Sequence, residues 1–505
     1  MPALVRAIAI IVLSLAADKL SAEESWLIGE FEDFKIYSNA SERRTVSIIK
    51  DLSDVRSALS SVFPLYKKDE GKKLRVYVCR NQATITKFSR LFDGKPKRIK
   101  GLFHRDFEGS YIVIDASGDF ESIRRTVYHE YTHFLLHNRE FQIPAWLNEG
   151  LAETFSTIEF TRSKIRLGKV DPYNARILKQ EQLIPFSRFF LISAKSPEYN
   201  SESHGRTIFY AQSWALTHYL LFGEFGVSQK QREEILDVAI TRPWLTESDF
   251  KRILDLDLNT LESRLRTYVS RGKYNTISLP RDESAKRLEI EFRQARPPEI
   301  DLVYGSLILN RREPEDAFPF LYRAQKGLPD SAEAEAWRGY LDIKRGEWDL
   351  AKKWLERAVN LEPNTPAPYL HYAQASLKVA NPFDRMNFGA FDRDATANLT
   401  RALLKARELG ESRPQLYQFF GNIWACSTVQ AGEQEIRVLK EGMEMYPDDL
   451  YLGYILAHLY FENGQIDEAS DIVKRSLSRR MPPGLRDNFD SLNQRIAEKG
   501  VTISP

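Results

Sequence analysis

The sequence predicts an α+β domain followed by an all-α helical-repeat domain, and three observations support this fold class. The chain has 505 residues, more than one hydrophobic core usually serves, so two or more domains are expected. Up to about residue 278, alternating apolar segments that indicate strands are interspersed with segments of helical periodicity. Beyond that point only helical patterns recur, with small residues and proline at repeated spacings. We therefore assign residues 23–278 to the first domain and 279–505 to the second.

The first domain is predicted to begin with alternating strands and helices. Apolar residues at a period of two indicate strands, and apolar residues at helical spacing indicate helices. The predicted elements are a strand at Phe31–Tyr37, a helix at Ser41–Phe63, a strand at Leu74–Cys79, a helix at Thr84–Phe92 and a hairpin of strands Gly101–Phe103 and Tyr111–Ile114.

Two consecutive helices are predicted next. Ser117 or Asp119 can cap a helix that runs from Phe120 to about Asn138. Proline is favoured in the first turn of a helix, so Pro144 indicates the start of the second. After them, the sequence predicts a small β excursion at Thr157–Asp171 and a strong helix at Thr207–Phe222.

The overall charge is balanced. Lys and Arg number 72 against 70 Asp and Glu, with no long block of one sign, so we expect no nucleic-acid partner. Cys79 and Cys426 are the only cysteines and lie in different predicted domains, so we expect core residues rather than a disulfide scaffold or a thiolate zinc site.

The N-terminus predicts export. Arg6 is followed by the apolar run Ala7–Ala17, which is the length of a signal-peptide core and shorter than the roughly 20 residues of a membrane span. We expect residues 1–22 to be a signal peptide cleaved near Ala22, and the mature protein to be secreted or periplasmic with no stable membrane span. A buried first helix or an uncleaved anchor are the alternatives.

The chemistry-bearing motif is His129-Glu130-x-x-His133 on the first of the two consecutive helices. Residues four apart return to nearly the same helical face, so the two histidines can bind one metal ion. A third ligand must come from elsewhere, and Glu149 on the following helix is the candidate. Glu130 then lies beside the metal, where a carboxylate can take a proton from water and pass it to a leaving amine.

The motif and the later Trp-Leu-Asn-Glu-Gly segment resemble the gluzincin clan of zinc metallopeptidases, in particular the peptidase MA-like families. The resemblance covers roughly Glu30–Leu221 and implies a zincin-like catalytic domain. It implies Zn²⁺ as the cofactor, a peptide or protein substrate, His129, His133 and Glu149 as zinc ligands, and Glu130 as general base. The chain lacks the Gly-x-Met-Glu-Asn motif of aminopeptidases, which slightly favours endopeptidase action.

Two further residues are candidates for supporting roles. Glu153, one turn after Glu149, matches the acidic residue that in many gluzincins accepts a hydrogen bond from a ligand histidine. The alternative is a solvated helix carboxylate. Tyr210 lies where related aminopeptidases carry a tyrosine that stabilises the transition state; the alternative is a core tyrosine. His204, on the preceding loop, is a second candidate for that donor.

The other histidines are treated as structural. His137 follows His133 at helical spacing, but Arg139 stands where the metzincin pattern requires a third histidine. His137 is therefore interpreted as a polar residue that ends the helix. The remaining ones, His104, His218, His371 and His458, have no partner visible in the sequence.

Family geometry also suggests a substrate-binding strand. Gluzincins commonly hold an extended peptide against the edge strand that precedes the active helix, through main-chain hydrogen bonds. The equivalent strand here is predicted at Tyr111–Ala116.

The second domain resembles the tetratricopeptide (TPR) family over about 220 residues. Small residues at repeated positions let two antiparallel helices approach closely, and each hairpin then packs on the next. The array is degenerate, because Trp337 is offset from the usual aromatic position and Asn381–Asp394 interrupts the period. The best unit has Gly339, Gly346, Trp348, Ala351, Leu355, Ala358, Leu361 and Pro363; a second has Tyr460, Gly464, Ala469 and Val473; a weaker one lies near Ala317–Pro329.

Together these features predict a secreted or periplasmic zinc metallopeptidase whose TPR groove binds a protein partner or positions the substrate. The alternative is a non-catalytic TPR scaffold that retains a structural peptidase-like zinc domain. A third hypothesis, an accidental His-Glu-x-x-His motif, is disfavoured by the context of Glu149.

Overall fold

A computed structural model describes residues 25–62, 74–92, 95–96, 98–137, 143–193, 195–200, 208–223, 227–242, 244–281, 289–380 and 389–501. The chain separates into two compact units, Glu24–Ala295 and Arg296–Pro505. The predicted signal peptide lies outside the described residues. No helix within the described ranges is long and apolar enough to cross a membrane.

The first unit combines β-sheet with helices. Its elements, in chain order, are β1 (Leu27–Phe31), β2 (Phe34–Ser38), α1 (Glu42–Val62), β3 (Leu74–Cys79), α2 (Gln82–Thr86), β4 (Leu91–Phe92), β5 (Lys95–Pro96), β6 (Gly101–Asp106), β7 (Gly109–Asp115), α3 (Phe120–His137), α4 (Ala145–Phe155), β8 (Glu159–Phe160), β9 (Lys164–Leu167), α5 (Pro172–Gln180), α6 (Phe186–Phe189), α7 (Pro197–Asn200), α8 (Ile208–Phe222), α9 (Gln229–Thr241), α10 (Glu247–Leu254), α11 (Leu258–Arg271), β10 (Ile277–Pro280) and β11 (Phe292–Gln294).

The main sheet has six strands in the order β11-β1-β2-β3-β7-β6. The pairs β2–β3 and β3–β7 are parallel, whereas β1, β6 and β11 pair antiparallel with their neighbours. One face of the sheet, including Ile36, Val76 and Ile112, packs into a buried core with α1, α3, α4 and α8. This face places β6 and α3 side by side, since a Cβ on Gly101 would lie 2.3 Å from Thr126 Cγ2.

Two sequence predictions of local structure are wrong. Phe31–Tyr37 is not one strand, because Glu32 adopts a left-handed conformation (φ 49°) and reverses the chain between β1 and β2. The helix predicted at Thr84–Phe92 ends at Thr86, and Leu91–Phe92 instead pairs with β5. The predicted hairpin of β6 and β7 and the small β excursion of β8 and β9 are both present.

The predicted domain boundary after residue 278 falls too early. Strand β10 pairs with β9, and β11 adds to the edge of the main sheet through the register Leu27↔Gln294. Strands therefore continue past residue 278, and the first compact unit ends at Ala295.

The strand predicted to hold substrate is not at the edge of the sheet. Tyr111–Ala116 overlaps β7, whose two sides pair with β3 and β6. Its main-chain groups are therefore used within the sheet. The edge strand next to α3 is β6.

His218 is part of the core that supports α4. Its imidazole is 0% exposed, with Nε2 2.8 Å from the Gly168 carbonyl oxygen and Nδ1 2.7 Å from Tyr268 Oη. The carbonyl can only accept, so Nε2 carries the proton and Nδ1 accepts from the tyrosine. The sequence interpretation of His218 as structural agrees with this placement.

The stability of the first unit should fall in mild acid because of His218. Burial lowers its pKa to about 4, below its ordinary value near 6.5, so protonation favours the unfolded chain. The contribution is complete above pH 6.5 and is lost towards pH 4, at about 1.4 kcal/mol per pH unit. In calorimetric unfolding between these pH values, His218→Gln should show a shallower loss of stability than wild type. An unchanged slope, or an equal change in His104→Gln, would contradict this assignment.

The second unit is a helical repeat. A Cβ on Gly339 would lie 2.5 Å from Leu355 Cγ, so glycine permits the close approach within one hairpin. Gly346 and Gly464 have positive φ (76° and 77°) at the turns of the two predicted units, which are confirmed as helical hairpins. Residues 381–388 of the predicted interruption lie outside the described residues. The helices are α12 (Pro297–Leu309), α13 (Pro314–Gly327), α14 (Ala332–Arg345), α15 (Trp348–Asn360), α16 (Ala367–Ala380), α17 (Arg393–Glu408), α18 (Pro414–Ala425), α19 (Glu433–Met445), α20 (Leu450–Glu462), α21 (Ile466–Leu477) and α22 (Pro483–Val501).

Candidate metal centre

Helices α3 and α4 carry the predicted metal ligands. Asp119 begins α3, because its Oδ1 accepts a hydrogen bond of 2.8 Å from the Ser122 N–H. Helix α4 follows Pro144, whose carbonyl accepts the N–H groups of Leu147 and Asn148 at 3.0 Å each. The two helices pack against each other, with α3 also against β6 and β7.

The side chains of His129, His133 and Glu149 converge between the two helices. The two Nε2 atoms are 3.1 Å apart. Glu149 Oε2 lies 3.7 Å from His129 Nε2 and 3.5 Å from His133 Nε2. Among the described residues, these three form the group of histidines, cysteines and carboxylates that could hold a metal ion.

This arrangement fits a zinc ion. Ligands at about 2.0 to 2.1 Å from a tetrahedral ion lie about 3.3 to 3.4 Å from one another, within the observed range of 3.1 to 3.7 Å. Glu149 is 2% exposed, and its Oε2 receives no hydrogen bond from the described part of the chain. A buried carboxylate oxygen without a donor is costly, and a cation between it and the imidazoles would remove that cost.

The electrostatics of the group couple the ligands. Burial lowers the pKa of His133, but the Glu149 carboxylate, together with Glu130 and Asn148, outweighs this effect and the pKa rises to about 9. Burial raises the pKa of Glu149, but the His133 and His129 imidazoles, together with the hydrogen bond from Tyr199, outweigh this effect, and the pKa is lowered. The group therefore places a carboxylate charge where a cation is favoured.

Each ligand histidine contacts a polar group through its other ring nitrogen. His133 Nδ1 lies 3.2 Å from Asn148 Oδ1, so Nδ1–H can donate there and leave Nε2 facing Glu149. His129 Nδ1 lies 3.6 Å from Glu153 Oε1. The sequence interpretation missed Asn148, although it stands directly before Glu149 in the quoted segment.

Glu153 is buried rather than solvated. It is 2% exposed, and its Oε2 accepts a hydrogen bond of 2.9 Å from Asn174 Nδ2 on α5. Helix α5 is tied to α3 by an ion pair of 2.5 Å between Arg125 and Asp171, the residue that caps α5. The Glu153 carboxylate therefore lies between His129 on α3 and Asn174 on α5.

Glu130 lies between the ligand group and the edge strand. Its Oε2 accepts a hydrogen bond of 2.7 Å from the main-chain N–H of Phe103 on β6. This donor is part of the backbone, so no residue type in the sequence could have revealed it. The contact fixes the carboxylate of Glu130 next to the ligand-bearing face of α3.

Tyr199 is a residue of this site that sequence reasoning missed. Its Oη donates a hydrogen bond of 2.5 Å to Glu149 Oε1. Tyr210, the predicted donor, lies beside it, with ring centroids 5.9 Å apart. Burial, followed by the charge of Glu149, raises the pKa of both tyrosines well above the ordinary value, so both hydroxyls stay protonated. The role predicted for Tyr210 in the reaction stays a prediction.

Two other candidates from the sequence cannot be placed. His204 lies outside the described residues, as does the side chain of His137, the last residue of α3.

Comparison with known proteins gives a family match for part of the first unit. Residues 123–241 match a family described as "Protein of unknown function (DUF1570)", which spans the metal ligands, Tyr199 and Tyr210. Because that family has no assigned function, the match assigns no activity. A search of curated proteins found no match.

Three of the solved structures that are similar to the chain are described as TPR proteins. One is YrrB, described as a TPR protein with an unusual peptide-binding site. It is 15% identical, the match covers 38% of this chain and 90% of YrrB, and the TM-score is 0.32. A second is a thermophilic TPR protein from Thermus thermophilus, which is 20% identical; the match covers 39% of this chain and 98% of that protein, with a TM-score of 0.26. A third, from Parabacteroides merdae, is 14% identical; the match covers 54% of this chain and 88% of that protein, with a TM-score of 0.27. These scores are low, so the helical-repeat assignment rests on the chain's own helices.

Proposed function

We propose that the first unit is a zinc-dependent hydrolase of the gluzincin type that cleaves peptide bonds. The observation that carries the proposal is the convergence of His129 Nε2, His133 Nε2 and Glu149 Oε2 within 3.1 to 3.7 Å of one another. Two imidazoles and one carboxylate are the ligand set of catalytic rather than closed structural zinc sites. Export to the periplasm or the medium, predicted from the N-terminal pattern, is part of the same proposal.

The residues around the ligands have distinct chemical roles in this proposal. Zinc in such a site acts as a Lewis acid and lowers the pKa of a bound water to about 7. Glu130, held by the Phe103 N–H, would accept a proton from the attacking water and later deliver it to the leaving amine. Asn148 and Glu153 would orient the two histidines.

Zinc binding should depend on His133. Wild type is expected to bind one zinc per chain, and His133→Ala should lose it, because two ligands remain and Asn148 has no imidazole to orient. Elemental analysis of purified protein after dialysis measures the stoichiometry. The matched control is His104→Ala, whose ring packs on Tyr111 and which is outside the ligand group. A zinc-free wild type would contradict the metal centre itself.

The helical repeat supports a second, non-enzymatic candidate. Stacked helical hairpins form extended concave surfaces that commonly bind proteins. In this alternative the chain is a scaffold whose zinc domain is structural, and the TPR-like hairpins of the second unit favour it over the peptidase assignment. The two candidates differ in one assay: hydrolysis of an unfolded protein substrate that a chelator abolishes supports the enzyme. Stoichiometric zinc without hydrolysis supports the scaffold.

In either case we propose that the second unit binds a protein partner or positions a substrate through its groove. The proposal is supported by five helical hairpins and a final helix within Arg296–Pro505, counted over the described residues.

A further inference from the structure

We infer that Tyr199 is a positioning residue that keeps Glu149 bound to the metal through one oxygen only. The inference rests on the metal centre proposed above and concerns how its third ligand is held. The relevant contact is the hydrogen bond of 2.5 Å from Tyr199 Oη to Glu149 Oε1.

The two oxygens of Glu149 have separate surroundings. Oε2 faces the imidazoles at 3.5 and 3.7 Å and has no hydrogen-bond donor among the described residues. Oε1 instead accepts the phenol proton of Tyr199. One oxygen is thus available to a cation while the other is engaged by a donor on a different element of the fold.

The position of Tyr199 is set by the start of α8. Its ring lies 5.9 Å from Phe209 and 5.9 Å from Tyr210, measured between centroids. Both neighbours pack on or within the core, and Phe209 is fully buried. The rings of Phe209 and Tyr210 therefore hold the Tyr199 hydroxyl at Glu149, although Tyr199 itself lies on the short helix α7.

A carboxylate that is not held in this way can bind zinc through both oxygens. Removing the phenol hydroxyl would leave Oε1 buried without its donor, which costs free energy. Rotation of Oε1 onto the metal would offset that cost, and it would use a coordination position that a catalytic zinc site keeps open for water. With the Tyr199 hydroxyl, the site has three protein ligand atoms and keeps a position open for water. Without it, both oxygens of Glu149 would bind the metal and fill that position.

Cobalt substitution tests the inference without measuring catalysis. Zinc(II) has a filled d shell and therefore no visible d–d absorption. Cobalt(II) in the same site does absorb visible light, and its absorption reports the coordination geometry. In the Tyr199→Phe protein we expect cobalt absorption to lose intensity, as it does when coordination number rises. We also expect the zinc dissociation constant to rise about tenfold. Loss of a residue that hydrogen-bonds a metal ligand typically weakens metal binding by about 10- to 100-fold. The low end is expected here because binding of Oε1 to the metal compensates in part.

The matched control is Tyr128→Phe. Tyr128 is also fully buried, stands next to His129 on α3, and its hydroxyl has no hydrogen-bond partner among the described residues. This variant removes a buried hydroxyl near the site without touching Glu149, so its cobalt spectrum should match that of wild type. Thermal unfolding of each variant shows whether the fold is retained.

The possible outcomes separate the inference from the proposed function. Weaker cobalt absorption in Tyr199→Phe alone supports the inference. Unchanged or stronger absorption in that variant, or an equal loss in Tyr128→Phe, overturns it while the metal centre stands. If wild type binds neither zinc nor cobalt, the metal centre fails first and the inference fails with it.

Discussion

Glu130→Gln should retain zinc and lose peptide hydrolysis by about 10²- to 10⁴-fold, the usual contribution of a general base. An amide cannot accept the proton of the attacking water at neutral pH, but it keeps an oxygen for the Phe103 N–H, whose bond to Glu130 is 2.7 Å. The side chain should therefore stay in place, and the three ligands do not include it. The loss should appear in kcat rather than in zinc content.

The measurement needs two readings from one preparation, zinc stoichiometry and the rate of cleavage of an unfolded protein substrate. Glu121→Gln is the matched control, since it makes the same change on an exposed residue in the first turn of the same helix. It should retain wild-type rate and zinc. Full activity in Glu130→Gln would exclude Glu130 as the base, and reduced activity that follows zinc loss would assign the residue to metal retention instead.

The ligand group was predictable because its information is local. His129 and His133 share a helical face by spacing alone, and Glu149 follows in a segment whose composition resembles a known helix. The structure brings these three residues together. The same local reasoning gave the β6–β7 hairpin, Asp119 as one of two candidate caps, and the helical hairpins of the second unit.

The parts that sequence did not predict depend on long-range approach. Tyr199 reaches Glu149 across fifty positions from an irregular stretch, and its placement is decided by packing on Phe209. The Phe103 N–H is a backbone group, which every residue except proline carries. Strand β11 has three residues and is strand-like only because β1 offers an edge, with Leu27 opposite Gln294. In each case the determining partner is distant in sequence.

The close packing of α4 on α8 explains why a glycine, Gly150, follows the third ligand. Replacing it should have a large effect on stability and zinc affinity. A Cβ at this position would lie 2.0 Å from Thr217 Oγ1, 2.5 Å from the Ser213 carbonyl oxygen and 2.9 Å from Thr217 Cβ. Two of these atoms belong to the fully buried β-branched side chain of Thr217, and the third is a backbone atom of α8. Neither the threonine side chain nor the α8 backbone can move away without disturbing the packed core. Helix α4 can lie this close to α8 only without a side chain there.

Gly150→Ala should therefore destabilise the first unit by about 1 to 3 kcal/mol or more and lower zinc affinity as well. The second effect follows because Glu149 is the adjacent residue on α4, and moving that helix away from α8 also moves the carboxylate relative to the two imidazoles. Calorimetric unfolding and zinc competition with a chelator measure the two effects separately.

Gly118→Ala is the matched control, because a Cβ there would make only ordinary contacts, the nearest at 3.6 Å to Ile123 Cγ1. It should change neither stability nor zinc affinity appreciably. Adding Thr217→Ala to Gly150→Ala removes the 2.0 Å contact but leaves the carbonyl at 2.5 Å, so the double variant should recover only part of the loss. Complete recovery would show that the threonine side chain alone demands the glycine. Wild-type stability and zinc affinity in the single variant would show that α4 can shift from α8 without disturbing Glu149.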